Sequence, residues 1–340
     1  MKSMYTVICA LICLLLQAGS LMAQKAKPGL TEANIRAAMN EAYDKFKNAS
    51  GGANANYIPY LADVDPKLYG IVVCTADGKV FEVGDTKYEF GIESISKVFV
   101  LALAMQDNGQ KAIEDSIGVN ATGMPFNSVL AVELEPARAV NPLVNAGAMA
   151  TNSFVKAPNK TAKWAKIDDI FAKFAGRRLP VIDKLYQSET ATNQHNRAIA
   201  WLLYSYGRFY DDVDMSVDLY TKACSYGTNA KDLAVMAGTL ANNGINPVTK
   251  EKVINPDFCP KILANMMTEG LYDSTGDWVY HTGLPGKSGV GGGIIAVVPG
   301  KLAIAVFAPP LDKAGNSVKG QLAVKYMVDK LGLNLLDGRN

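Results

Sequence analysis

Strand-forming sequence lies near the two ends of this chain, and the long stretch between them carries a helical pattern. Residues 68–75 are an apolar run rich in Ile and Val, Ala76-Asp77-Gly78 supplies a turn, and residues 79–83 return. Apolar runs of this length bounded by turn residues read as a β-hairpin. A second pair, 293–298 and 301–308, is joined at Pro299-Gly300. From about 110 to 270 strand character is lost, and residues 167–174, 194–206, 216–223 and 231–242 read as helices. Further helical patterns occupy the flanks. One starts at Thr31 with Ile35, Ala38, Met39, Ala42 and Phe46 and ends before Gly51-Gly52, and the other runs over 318–331 with Leu322, Val324, Met327, Val328 and Leu331. Such a chain must build one sheet from segments far apart in sequence and carry the helical stretch as an insertion. The expected class is α+β. A mixed, mostly antiparallel sheet flanked by helices, from residues of about 30–110 and 280–335, would enclose an all-helical lobe of about 110–275, with a cleft between the lobes.

The first residues read differently. Lys2, an apolar stretch over 5–16 and a small-residue zone from Ala18 to Ala23 have the form of a secretory signal peptide at 1–23, too short to cross a membrane comfortably. Removal after Ser20 or Ala23 would leave an exported protein, periplasmic or extracellular, with no membrane attachment. A net charge of +2 leaves no electrostatic footprint for nucleic acid. Cys74, Cys224 and Cys259 remain after the leader, an odd number without ligand spacing, and are expected as buried thiols. His195 and His281 have no cysteine or carboxylate at metal-binding spacing, so no metal site is expected. The glycines of 289–293 follow Lys287-Ser288 and precede a strand, which is the reverse of a phosphate loop.

Chemistry enters at Ser94-Ile95-Ser96-Lys97, at the head of an apolar run over 98–105 that stops at Asn108-Gly109. Ser and Lys three apart on a helix share a face, so the amine can take the hydroxyl proton and make a nucleophile without histidine. The same spacing also arises in any helix capped by serine and decorated by lysine. Lys287-Ser288-Gly289, just before the glycine-rich strand, is the second half of the signal. Together they point to a serine–lysine amidohydrolase.

From about Tyr57 to its last helix the chain resembles a bacterial-type glutaminase, of the β-lactamase and transpeptidase-like fold group. The resemblance rests on residues 57–62, Gly84-Asp85-Thr86, Ser94 to Lys97, residues 141–148, Glu189 with Asn196, residues 283–292 and residues 309–317. It implies a single catalytic domain over 24–340 that hydrolyses L-glutamine to L-glutamate and ammonia through a serine acyl-enzyme, without metal or organic cofactor, as a homo-oligomer. By the same resemblance Ser94 is the nucleophile, Lys97 activates it, and Tyr272 is a proton relay or hydrogen-bond partner beside them. The backbone N–H groups of Ser94 and Val290 would hold the oxyanion. Tyr57, Asn145, Glu189, Asn196 and Tyr220 would hold the substrate, Glu189 being suited to the α-ammonium. Glu189 and Asn196 lie about two helical turns apart and would share a face of one helix. Glu93 is a departure, standing where glutamine is expected; a carboxylate there would raise the pKa of Lys97 by favouring the ammonium. Two other readings remain. A penicillin-interacting transpeptidase or β-lactamase fits Ser94, Lys97 and Lys287-Ser288-Gly289 but not Asn145-Ala146-Gly147-Ala148, and a non-catalytic glutamine-binding protein would not need an intact Ser94 and Lys97.

Overall fold

A computed structural model describes residues 29–338, so the expected signal peptide lies outside the described residues. Seven strands are found there: β1 (Gly70–Thr75), β2 (Val80–Gly84), β3 (Phe90–Gly91), β4 (Gly227–Thr228), β5 (Gly286–Ser288), β6 (Gly293–Val298) and β7 (Leu302–Phe307). Five of them form one sheet in the order β2-β1-β7-β6-β5, and β3 pairs with β4 in a separate ladder. Every pairing is antiparallel. Both hairpins read from the sequence are present, and β1 against β7, from Gly70 opposite Phe307 to Thr75 opposite Leu302, joins the two ends of the chain.

Helices relevant to the site are α1 (Glu32–Phe46), α2 (Ser96–Asn108), α3 (Asn145–Ser153), α4 (Asp183–Thr192), α5 (Gln194–Ser205), α6 (Val213–Cys224), α7 (Ala230–Ala241), α8 (Cys259–Glu269) and α9 (Val318–Leu331). Alternation along the strands explains how α1, α9 and α7 cover the sheet. Ile71, Val73, Ile304 and Val306 pack on one side with Ile35 and Met39 of α1 and Val324 and Met327 of α9. Val72, Cys74, Ala303 and Ala305 belong to the other core, with Leu233 and Met236 of α7 and the apolar run of α2. A sheet covered on both faces selects continuous apolar strands, and that is why these were legible. The helix ends follow local chemistry too. Thr31 caps α1 by accepting from the Asn34 N–H, and Ser317 caps α9, which stops at left-handed Gly332.

Several elements lay outside the sequence reading. All of α3 is buried, so it has no polar face and no amphipathic period. β5 contains only Gly286, Lys287 and Ser288, and exists because it pairs with β6. The segment after β5 presses on the turn before α2: a Cβ on Gly289 would lie 2.8 Å from the Ile92 carbonyl oxygen, and one on Gly291 2.4 Å from that of Gly91. Glycine is required at both for this approach, which sets Val290 against the turn that carries Ser94.

Candidate active site

Ser94 is not in the helix itself. It occupies a 3₁₀ turn, Glu93–Ile95, that leads into α2, and Lys97 follows in the first turn of α2. Residues three apart eclipse in a 3₁₀ turn, so the pair still meets, with Lys97 Nζ donating to Ser94 Oγ at 2.8 Å. Lys97 is only 3% exposed, which removes the reading of a solvated helix lysine. Burial pushes its pKa down to about 8, while Cys224, Glu93 and Glu189 act in the opposite direction. Glu93 therefore works as expected on Lys97, but desolvation outweighs it.

Three helices hold the lysine from the other side. Lys97 Nζ donates to Asn145 Oδ1 at 2.6 Å, at the start of α3, and Tyr220 of α6 donates to the same oxygen at 3.2 Å. Asn145 Nδ2 in turn donates to Asn196 Oδ1 of α5 at 2.9 Å. Asn145 is thus oriented by all of its polar contacts, its oxygen taking two donors and its amide giving one.

Tyr272 comes from beyond α8, in a turn where its φ is +59°, and is buried. Its hydroxyl interacts with the Ser94 side chain and lies 3.4 Å from the Ser288 carbonyl oxygen, and burial keeps its pKa above the usual phenol value. Lys287, fully buried, donates to that same carbonyl at 2.7 Å and sits 4.1 Å from the Tyr272 ring centroid. Burial, and then the nearby Lys97, holds the Lys287 pKa well below the ordinary lysine range. Lys287 belongs to the Lys287-Ser288-Gly289 motif, but its place at the Ser288 carbonyl and the Tyr272 ring comes only with the fold. The Val290 N–H makes no hydrogen bond to any described residue.

Glu189 and Asn196 do not share one helix. They sit on α4 and α5, separated by Asn193, whose ψ of 16° breaks the helix, and tertiary packing rather than helical spacing brings them together. Glu189 accepts from Ser225 Oγ at 3.3 Å and is hydrogen-bonded to Glu93. Burial raises the pKa of both carboxyls, and the charge of Glu189 raises that of Glu93 further. Tyr57 is 52% exposed at the rim, yet its phenol pKa is raised, first by lost solvation and then by Tyr272, Glu93 and Glu189. The ring faces solvent while its hydroxyl end belongs to the site. Glu93, Glu189 and Cys224 each bring one potential ligand atom within 4.8 Å of the others. A cation there would require loss of the carboxyl proton and of a thiol proton that burial holds tightly, beside Lys97. This group fits a metal poorly.

The Glutaminase family model matches residues 52–336. The chain belongs to the glutaminase family. It is 53% identical over 301 residues to the glutaminase of Colwellia psychrerythraea, covering 88% of this chain and 97% of that one. The glutaminase of Bacteroides thetaiotaomicron is 52% identical over 307 residues, covering 90% and 96%. A solved probable glutaminase at 50% identity superposes with a TM-score of 0.89, over 91% of this chain and all of that one. The fold is accordingly β-lactamase-like, and this glutaminase is an enzyme of glutamine hydrolysis. Among the described residues no helix is long and apolar enough to cross a membrane.

Proposed function

We propose that this glutaminase hydrolyses L-glutamine through an acyl-enzyme on Ser94. The observation that carries this reading is the buried Lys97 amine 2.8 Å from Ser94 Oγ, with its pKa at about 8. A fraction of the enzyme then holds a neutral amine at neutral pH, which can accept the serine proton. Ser94 Oγ attacks the side-chain amide carbon, and its proton passes to Lys97. The tetrahedral oxyanion is held by the Ser94 and Val290 N–H groups, the latter without a hydrogen-bond partner among the described residues. Tyr272, in contact with the Ser94 side chain, relays the proton to the departing nitrogen, and ammonia leaves with formation of the ester. Water then attacks the ester carbon, gives its proton to Lys97, and releases glutamate with the proton returned to Ser94.

Asn145, Asn196 and Tyr220 form one hydrogen-bonded unit next to the lysine and supply amide and hydroxyl groups for the substrate. Glu189 serves the α-ammonium and Tyr57 closes the rim. The catalytic unit spans residues 24–340 behind the leader read from residues 1–23, needs no cofactor and, as the family resemblance implies, works as a homo-oligomer. Ser94→Ala, Lys97→Ala and the double variant test the central claim. Each single change should remove most turnover, and the double should be little worse than either. Additive losses would show that the two groups act separately. Ser96→Ala is the control, since Ser96 Oγ points to Cys224 Sγ at 3.6 Å.

A further inference from the structure

Glu93 is set in the turn that carries Ser94 with φ of +51°, a left-handed conformation that a glutamate adopts only under strain. Glycines enclose its side chain. An added Cβ would lie 3.3 Å from Glu93 Cβ at Gly289, 3.3 Å from Cγ at Gly291, and 3.3 Å from Oε1 at Gly91. The side chain is 3% exposed, and Oε1 has no hydrogen-bond partner. A buried acceptor left unpaired is unfavourable, so this oxygen is ready for a donor. Glu189 is hydrogen-bonded to the same carboxyl group, an oxygen of each lying within 4.8 Å of the other. Two carboxyls so joined need one proton between them. The charged and titratable groups around the pair are Lys97, Cys224, Tyr57, Tyr220 and Tyr272, with Lys287 behind Lys97.

We propose that the α-ammonium of glutamine displaces the proton shared by Glu93 and Glu189, so that substrate binding releases a proton to solvent. This rests on the reading of Glu189 as the ammonium partner. Before binding, two carboxyls and one proton carry one negative charge. After binding, two carboxylates and one ammonium carry the same charge, so the buried site is neither more nor less charged. No covalent bond between heavy atoms changes: the acidic proton goes to the buffer, and ammonium N–H donors take its place, one of them reaching Glu93 Oε1. Linkage then makes affinity rise with pH, by about tenfold per unit while the free pair keeps its proton.

The test uses the full-length mature Ser94→Ala protein, which binds glutamine without turnover. Calorimetric titration with L-glutamine at neutral pH, in two buffers of different ionisation enthalpy, counts the protons released. About one proton per glutamine is expected, falling to near zero when Glu93→Gln is added, because an amide there donates a hydrogen bond to Glu189, which then stays ionised and has no proton to lose. Adding Lys97→Met instead should leave the release in place. No release from the parent, release unchanged by Glu93→Gln, or release abolished by Lys97→Met each overturns the proposal, the last by making Lys97 the source. Should Glu93→Gln fail to fold, the parent and the Lys97→Met variant decide alone. Glu189→Gln tests the underlying reading separately: glutamine affinity unchanged by that substitution refutes the ammonium assignment whatever the proton count.

Discussion

With Lys97 as the proposed base, its protonation state sets how turnover must depend on pH. An unperturbed lysine at 10.5 is neutral in roughly one molecule in three thousand at pH 7, whereas one at about 8 is neutral in roughly one in ten. Burial therefore multiplies the working base by roughly 300-fold at that pH, equivalent to about 3 kcal/mol at 1.36 kcal/mol per pH unit. No discount for solvent screening applies, since Lys97 is 3% exposed. The measurement is ammonia release at saturating glutamine and constant ionic strength, from about pH 5.5 to 9.5. At saturation the proton shared by Glu93 and Glu189 has already left, so kcat reports the lysine in the complex. We expect kcat to rise about tenfold per pH unit and to level off near pH 8, because exchange of the shared proton for the ammonium leaves the charge beside Lys97 unchanged. Lys97→Arg keeps a cation that cannot deprotonate, and should retain less than about 1% of kcat at every pH. A kcat flat between about pH 6 and 9, or an active Lys97→Arg enzyme, would refute the assignment of Lys97 as base.

Three further outcomes follow from the same geometry. Glu189→Gln keeps size but removes charge; with a charge-assisted hydrogen bond contributing about 1.5–3 kcal/mol, kcat/KM for glutamine should fall by one to two powers of ten, and by less for glutamine acylated on its α-amine. Unchanged glutamine kinetics would return Glu189 to a structural role. Lys97→Met should stabilise the fold in urea unfolding at pH 7. The folded pKa lies below the unfolded 10.5, so the cost of burying this amine, about 3 kcal/mol, is fully present below pH 8 and disappears as pH rises to 10.5. Loss of the contacts to Ser94 and Asn145 offsets part of that gain, leaving about 1–2 kcal/mol at pH 7 and none at pH 10.5. A variant that gains more at high pH than at pH 7 would contradict the sign. For export, sequencing the secreted fraction should give a mature start at Leu21 or Gln24, and a cytoplasmic protein starting at Met1 would rule the leader out.

Local chemistry was readable wherever an element is specified by its own residues. The two hairpins were visible because strands covered on both faces are unbroken apolar runs, and α9 because its apolar stripe lies within the segment. The Ser94–Lys97 pair was visible for the same reason, since three residues of separation meet in either a 3₁₀ turn or an α-helix. α3 was not visible, because complete burial erases the polar face that makes a helix periodic.

What tertiary structure decided is the electrical state of those groups. Ser94 and Lys97 have the same spacing in a solvated helix, and only the packing of α3, α6 and the segment after β5 against the turn removes the water that would keep Lys97 charged. The partnership of Glu93 with Glu189, the fit of Gly289 and Gly291 against that turn, and the placement of Lys287 over Tyr272 join residues from different elements. A sequence specifies each side chain, but desolvation and the sharing of a proton depend on which side chains the fold brings within a few ångströms of one another.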